Sequence, residues 1–206
     1  LWIKCDGCKQ TVYKSDIKNN MQICPSCGHH YRIGARERIE LVADPGTFEE
    51  THTGITAADP LEFAVGKETY TERIARAREL SGLNEALVTG MARIEGVRCA
   101  VGGMDSSFVM ASMGSAVGEK FCRLVKDAIA HEVPLIVFAA SGGARMQEGI
   151  LALMQMAKTA DAVRQINEAG LAYIVVQTDP TSGGVFASFA SLGDITIAEP
   201  KAYIGF

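Results

Sequence analysis

The chain has 206 residues, of which 48% are hydrophobic and 21% charged, and its formal net charge is −4. This composition predicts a soluble globular protein with one sizeable core and a small appendage, and no apolar run approaches the length of a membrane span. The charge is uneven, because residues 1–40 hold seven basic against four acidic residues and the remainder holds 13 against 20. Polyanions are therefore expected to be drawn to the N-terminal end.

Four of the six cysteines form two C-x2-C pairs near the N-terminus: Cys5, Cys8, Cys24 and Cys27. Two such pairs, fifteen residues apart, place four thiolates at the corners of a tetrahedron, which suits Zn²⁺. Two disulfides are the alternative, and the metal is favoured because nothing else indicates a secreted protein. A closed four-thiolate shell leaves no open position for a substrate, so the predicted zinc is structural.

The rest of this segment predicts a zinc ribbon over residues 1–34. Residues 11–13 (TVY) and 31–33 (YRI) are predicted to be its paired strands. His29 and His30 directly follow Cys27 and could substitute as ligands, but we expect surface residues because four sulfurs already complete the site.

Residues 35–84 are predicted to be a helical collar that joins the ribbon to the core. A short helix over 35–42 ends at Asp-Pro-Gly, and an amphipathic helix over 69–80 ends before Ser81-Gly82. The apolar face of the helix over 69–80 is predicted to contain Tyr70, Ile74 and Ala77.

Residues 85–206 alternate strand and helix patterns, which predicts an α/β core. Strands are predicted at 86–94, 97–101, 108–110, 135–140, 172–177 and 194–198, with a further one at 201–204. Helices are predicted at 115–131, which covers the first strands, and at 146–169, with an apolar stripe at Met146, Ile150, Leu153, Ala157, Ala160 and Val163. The pattern is unfinished at Phe206, so this core is expected to be incomplete at its C-terminal end.

A Ser-Gly-Gly sequence follows two of the predicted buried strands, with Gly142 and Gly183 lying 41 positions apart. We interpret each as a strand-to-helix junction whose backbone N–H groups face a ligand, because glycine lets a ligand approach the backbone. Tight turns are the alternative for a single Gly-Gly, but two equivalent junctions favour an anion or oxyanion site. Gly142 and Gly143 are the predicted oxyanion donors. Residues beside them and in the second junction are predicted to bind substrate: Ser141, Ala144, Arg145, Gly183 and Gly184.

Several catalytic signatures are missing from the chain. It contains no nucleophile-elbow motif, no P-loop ending and no G-x-G-x-x-G. Backbone amides are therefore the predicted catalytic groups, which fits a reaction in which a thioester or amide oxygen gains negative charge.

Taken together, the motifs resemble one family. They are the paired cysteines, residues 112–120 (SMGSAVGEK), 141–149 (SGGARMQEG), 153–159 (LMQMAKT) and the stretch 178–190 with its TDP and Gly-Gly. In order and combination they resemble the carboxyltransferase β subunit of bacterial or plastid acetyl-CoA carboxylase. The resemblance implies a crotonase-like ββα superhelix with an N-terminal zinc ribbon, and a place in fatty acid biosynthesis.

The resemblance also implies a reaction and its partners. A carboxyl group would pass from carboxybiotin, held on a separate biotin carboxyl carrier protein, to acetyl-CoA, giving malonyl-CoA. Biotin itself would remove the methyl proton, which agrees with the lack of an evident protein base. An α subunit of the same fold would complete a heterotetramer of two α and two β chains, served by biotin carboxylase. The chain departs from the family by carrying Met110-Ala111 where Gly-Gly is usual, and the family continues past Phe206.

Two other readings stay open at this point. One is another acyl-CoA carboxyltransferase or decarboxylase β component, acting on propionyl-CoA or malonyl thioesters, against which the ribbon argues. The other is nucleic-acid binding through the basic ribbon, alone or beside the enzymatic activity. The expected location is the bacterial cytoplasm or the plastid stroma, with no membrane attachment.

Overall fold

A computed structural model describes residues 1–206. The chain divides into two compact units, Leu1–Ile33 and Gly34–Phe206. None of its helices is both long enough and apolar enough to cross a bilayer.

The first unit is a small ribbon with almost no apolar core. Strand β1 (Trp2–Lys4) pairs antiparallel with β2 (Thr11–Tyr13), and helix α1 (Lys14–Asn19) follows. The buried hydrophobic residues are Val12 and Ile17 together with Cys5 and Cys24. With so little apolar surface to bury, this unit depends on its cysteines for stability.

The predicted pairing of residues 11–13 with 31–33 is wrong. Each C-x2-C turn instead folds its own neighbourhood into a local hairpin: β1 lies beside β2 at the first turn, and Ile23 bridges His30 at the second. The amide of Cys24 donates to the carbonyl of His29 at 2.8 Å. Partners a few residues away meet at little cost in loop-closure entropy, so the local pairings form.

The second unit is built around a seven-stranded mixed sheet with the order β10-β9-β8-β7-β6-β3, and β11 also pairs with β9. The strands of this sheet are β3 (Glu49–Thr51), β6 (Leu87–Ile94), β7 (Val97–Met104), β8 (Leu135–Ser141), β9 (Tyr173–Ser182), β10 (Ile195–Ala198) and β11 (Ile204–Gly205). Strands β4 (Ala64–Val65) and β5 (Glu68–Thr69) form a separate two-stranded hairpin. Its helices are α2 (Ala35–Glu40), α3 (Tyr70–Ser81), α4 (Ser115–Ala130), α5 (Ile150–Glu168) and α6 (Gly183–Phe186).

The structure corrects the predicted collar over residues 35–84. Strand β3 pairs antiparallel with β6, so this segment supplies an edge strand of the main sheet. Helix α2 packs on β7, where a Cβ on Gly103 would lie 3.2 Å from the Cβ of Ala35. The segment is therefore part of the core unit.

Helix α3 confirms the amphipathic helix predicted there. The side chain of Thr69 accepts from the Glu72 amide while the Glu72 carboxylate accepts from the Thr69 amide, which is a capping box. Gly82 ends the helix with φ of 68°, a left-handed conformation that glycine adopts without strain. Tyr70, Ile74 and Ala77 are buried as predicted.

The strand predictions for β6 to β10 are confirmed within a few residues, and so is helix α4. Residues 108–110 are not a strand, however. A single 3₁₀ turn, Val109–Ala111, occupies this position, and its backbone is held by hydrogen bonds to the segment that follows β8. A short apolar run predicted the wrong element because periodicity cannot distinguish a strand from a buried turn of this length.

Helix α5 begins later than predicted and turns a different face inward. A 3₁₀ turn, Met146–Glu148, and Gly149 with φ of 53° precede it. The predicted stripe is largely exposed at Met146, Ile150 and Leu153. Of the predicted stripe, Val163 is buried, and the other buried residues of the helix are Ala152, Gln155, Thr159, Ala162 and Ile166. Two rows with helical spacing run along this helix, and spacing alone does not show which one faces the sheet.

Candidate functional site

The four predicted zinc ligands come together in the first unit. The Sγ atoms of Cys5, Cys8, Cys24 and Cys27 all lie within 4.8 Å of one another, and those of Cys5 and Cys27 are 3.8 Å apart. Zn–S bonds of about 2.3 Å in a tetrahedron separate the sulfurs by about 3.8 Å, so the site fits zinc. None of the six cysteines forms a disulfide, and neither His29 nor His30 belongs to the cluster. The zinc is structural.

In the second unit, three loops meet at one edge of the sheet. Strands β7, β8 and β9 are parallel neighbours, so their carboxyl ends share an edge. The loops that follow them contain Val109–Ala111, Gly142-Gly143 and Gly183-Gly184. We call these three segments the loop edge. Parallel sheets bind their ligands at this edge.

The two glycine pairs are in contact with each other. A Cβ on Gly183 would lie 2.9 Å from the Cα of Gly143, closer than side chains approach backbone. Both residues also have positive φ, 114° at Gly143 and 56° at Gly183. The predicted juxtaposition of the two loops is confirmed. Glycine is favoured at both positions by conformation, and at Gly183 also by space.

The predicted strand-to-helix geometry holds for only one of the loops. Helix α6 begins directly at Gly183, whereas α5 begins at Ile150, seven residues after Gly143. The dipole of α5 therefore does not act at the first glycine pair, because such a field is confined to the first turn of its helix.

Two of the amides at the loop edge already have acceptors. Gly142 donates to the carbonyl of Met110 at 2.8 Å, and Gly143 donates to the hydroxyl of Ser141 at 2.9 Å. The amides of Ala144 and Gly184 donate no hydrogen bond within the chain. A Cβ on Gly184 would lie 3.4 Å from the nitrogen of Ala144, so the two residues are adjacent across the loops. Neither amide has an acceptor within the chain, although Gly184 is buried and Ala144 is partly exposed.

Arg145, predicted to bind substrate, is instead a buried structural residue. Its side chain is fully buried. All five of its N–H groups donate hydrogen bonds. Two donate to the Glu85 carboxylate (2.6 and 2.9 Å), two to Ser112 (carbonyl at 2.7 Å, hydroxyl at 3.1 Å) and one to the Tyr70 hydroxyl (3.2 Å). A guanidinium with no exposed surface and no spare donor cannot contact a ligand. Ser141 is likewise buried, and its hydroxyl donates to the Ala111 carbonyl at 2.8 Å.

The same network reaches helix α4. The Tyr70 hydroxyl donates to Glu148 Oε1 at 2.7 Å, and Glu148 Oε2 accepts from the Ser115 amide at 2.6 Å. Burial raises the pKa of Tyr70, so its hydroxyl stays protonated and able to donate. Glu148 thus satisfies an N–H group in the first turn of α4. Sequence reasoning missed Tyr70, Glu85, Ser112 and Glu148 as parts of the site, and only the Arg145-x-x-Glu148 spacing hinted at one of them.

Both parts of the chain match models of known protein families. Residues 31–206 match the family model of the carboxyl transferase domain, and residues 2–27 match that of the acetyl-CoA carboxylase zinc finger domain. A crystal structure of transcarboxylase 12S with methylmalonyl-coenzyme A and methylmalonic acid bound superposes with a TM-score of 0.69 at 26% identity. That match covers 84% of this chain and 30% of the other. The fold and site define a crotonase-like carboxyl transferase domain with a zinc ribbon.

Curated relatives give the particular family. The chain is 52% identical over all 206 residues to the carboxyl transferase subunits beta/alpha of acetyl-coenzyme A carboxylase from Natranaerobius thermophilus, of which it spans 33%. It is 50% identical over the same length to the carboxyl transferase subunit beta from Carboxydothermus hydrogenoformans, of which it spans 72%. The chain belongs to the family of acetyl-coenzyme A carboxylase carboxyl transferase beta subunits.

Proposed function

We propose that this chain is the component of acetyl-CoA carboxylase that transfers a carboxyl group from carboxybiotin to acetyl-CoA, giving malonyl-CoA for fatty acid biosynthesis. Carboxybiotin supplies the carboxyl carbon, and when its N–C bond breaks the departing biotin takes the proton of the acetyl methyl group as the new C–C bond forms. The observation that supports this proposal most directly is the pair of unbonded amides of Gly184, in the loop edge, and Ala144, directly after it, together with similarity to the beta-subunit family over all 206 residues.

The loops would act on the thioester oxygen. As the methyl group loses its proton, negative charge develops on that oxygen, and fixed N–H donors stabilise it without reorganising. The amides of Ala144 and Gly184 have no acceptor to give up, so they can donate at once. Donation by Gly142 and Gly143 stays a prediction, because both amides would first have to leave Met110 and Ser141.

The buried network would hold these donors in place. The peptide units around Ala144 are bonded on both sides to the segment before α4: Met113 donates to the Gly143 carbonyl at 2.8 Å, and Arg145 donates to the Met113 carbonyl at 2.9 Å. The Arg145 side chain fixes Ser112 next to these bonds. Oxyanion stabilisation depends on such preorganisation, so Arg145 is a positioning residue here rather than a substrate ligand.

The partners form part of the proposal. An α subunit, in a heterotetramer of two α and two β chains, would complete the active site, and a biotin carboxyl carrier protein loaded by biotin carboxylase would deliver the carboxyl group. The relative from Natranaerobius thermophilus, named as subunits beta/alpha, supports a close association of the two subunits. The bacterial cytoplasm or the plastid stroma is the location that this function would imply. Binding of nucleic acid by the ribbon stays a prediction.

The test is Gly143→Val in the β chain co-purified with its α subunit. Gly143 has φ of 114°, and its Cβ would already lie 3.4 Å from the Cα of Gly183 and 3.6 Å from the nitrogen of Gly184. The valine methyl groups would therefore push the two loops apart. We expect carboxybiotin-dependent malonyl-CoA formation to be lost while the zinc content stays at one ion per chain.

Gly170→Val is the matched control. Gly170 also has a positive φ, 72°, but nothing lies within 4 Å of its Cβ position and it is distant from the loop edge in sequence. It should reproduce the backbone strain without separating the loops, and activity should be kept. Full activity in Gly143→Val would contradict the proposed role of the loops.

A further inference from the structure

The turn Val109–Ala111 has an unusual backbone for its sequence. All three residues are left-handed, with φ of 46°, 53° and 50°, and none is glycine. This conformation brings Cβ too close to the following carbonyl oxygen, so only glycine adopts it freely. Side chains at such positions persist only where the surrounding structure holds them, and they concentrate at functional sites.

Hydrogen bonds hold this turn against the first glycine pair. The Met110 carbonyl accepts from the Gly142 amide, and the Ala111 carbonyl accepts from the Ser141 hydroxyl, both at 2.8 Å. The Cβ of Met110 lies 3.4 Å from the position that a Cβ on Gly142 would occupy. Met110 is thus the residue of the loop edge that flanks Gly142 on the side away from Gly183.

The exposure of the turn residues singles out one side chain. Met110 is 48% exposed, whereas Phe108 before the turn and Ala111 within it are fully buried and Val109 is partly buried. Its unbranched thioether chain is therefore the most exposed side chain of the turn, and it lies beside a glycine whose own lack of a side chain leaves room for a ligand.

We propose that Met110 is a specificity-determining residue whose side chain limits the acyl group of the CoA thioester to a short one. The inference rests on the proposed function, because it concerns the acyl group held at the same loops. An apolar wall discriminates by volume, and one methylene changes the preference of a hydrophobic pocket by roughly 10- to 200-fold. On this proposal the second and third acyl carbons of a longer thioester would extend beside Gly142, where the exposed side chain of Met110 lies.

The test compares Met110→Gly with Ala111→Gly in the complex with the α subunit. Both changes relieve one left-handed residue, but only the first removes the exposed side chain of the turn. For each variant, kcat/KM is measured with acetyl-, propionyl- and butyryl-CoA. We expect Met110→Gly to raise the propionyl-to-acetyl ratio by at least about tenfold, the lower limit for one methylene, and Ala111→Gly to leave it at the wild-type value.

A further variant and a binding measurement keep the inference testable. Met110→Leu conserves the side-chain volume and should keep the wild-type ratio. The dissociation constants of the same three acyl-CoAs, measured by calorimetry, should shift in parallel with kcat/KM in Met110→Gly. An unchanged ratio in Met110→Gly, or an equal rise in Ala111→Gly, would overturn the inference. A wild-type complex that binds acyl-CoA without transferring a carboxyl group would refute the proposed function alone, since the binding ratios would still test Met110.

Discussion

The Arg145–Glu85 pair offers the sharpest test of the structural account. Both side chains are fully buried, and the two carboxylate oxygens of Glu85 accept from Arg145 at 2.6 and 2.9 Å. Glu85→Leu removes the carboxylate and leaves a guanidinium in the core. Breaking a buried pair in this way costs about 3–5 kcal/mol, because the remaining charge has no water and loses its closest acceptors. Glu148 Oε1, 3.8 Å from Arg145 Nη1, is the acidic group that remains beside it.

That cost is large compared with the stability of a domain. Folded domains are stable by roughly 5–15 kcal/mol, so Glu85→Leu should remove about a fifth or more of the total. With a urea m-value of about 2 kcal/mol per molar, a loss of about 4 kcal/mol lowers the unfolding midpoint by about 2 M. Urea unfolding followed by circular dichroism measures this shift directly.

A double variant separates the unpaired charge from lost packing. In Glu85→Leu with Arg145→Met, both members of the pair are removed, and Glu148 is the carboxylate of this network that stays buried. The combined cost should therefore fall short of the sum of the two single costs by at least about 2 kcal/mol. Arg145→Met alone leaves the Ser112 carbonyl without its donor and leaves Glu85 with the Ala86 amide, 2.8 Å from Oε1, as its donor, so it should also be strongly destabilising. A cost below about 1 kcal/mol for Glu85→Leu, or strict additivity in the double variant, would refute the reasoning.

Two further predictions concern other parts of the chain. Cys24→Ser removes one of four zinc ligands from a unit whose only other buried hydrophobic residues besides its cysteines are Val12 and Ile17, so zinc should be lost and limited proteolysis should cut residues 1–33 first; a metal-free ribbon that resists cleavage would contradict this. Hydrogen bonds from Lys158 and then Arg123 lower the pKa of Glu119 to about 2, so its stabilising effect is complete above the unfolded pKa near 4.5 and is lost as the pH falls towards 2. Because that carboxylate is 35% exposed, the difference in unfolding free energy between wild type and Glu119→Gln should reach at most about 1 kcal/mol at pH 6 and vanish near pH 2; a difference independent of pH would argue against the ion pairs.

Local signals account for the parts of the fold that the sequence predicted well. Thr69 and Glu72 define the first turn of helix α3, and Gly82 ends its last turn. Each of these signals lies within one helical turn of the end that it defines. The zinc ligands followed from spacing alone, since two C-x2-C pairs admit few other geometries. The glycine contact between residues 143 and 183 was also predictable, because both follow adjacent buried strands of one parallel sheet.

The predictions that failed needed information from distant parts of the chain. The inward face of α5 is set by α4, on which Gly118 is so close to Gln155 that a Cβ there would lie 2.2 Å from its side-chain oxygen. Nothing in the spacing of α5 contains that fact. Arg145 follows two glycines and therefore resembled an anion ligand, yet its acceptor Glu85 lies 60 positions earlier, within a segment interpreted as the junction between collar and core.

The partners of Arg145 lie far from it in the sequence, and this separation affects how the chain folds. Its partners Tyr70, Glu85 and Ser112 stand 75, 60 and 33 positions away, so its hydrogen bonds close only after three remote segments have assembled. Contacts of such sequence separation slow folding, because the entropy of ordering the intervening chain is lost before the contacts form. The donors beside Arg145 should accordingly be among the last groups to acquire their native arrangement, and a ribosome-bound chain that has not yet emerged beyond this arginine would lack them altogether.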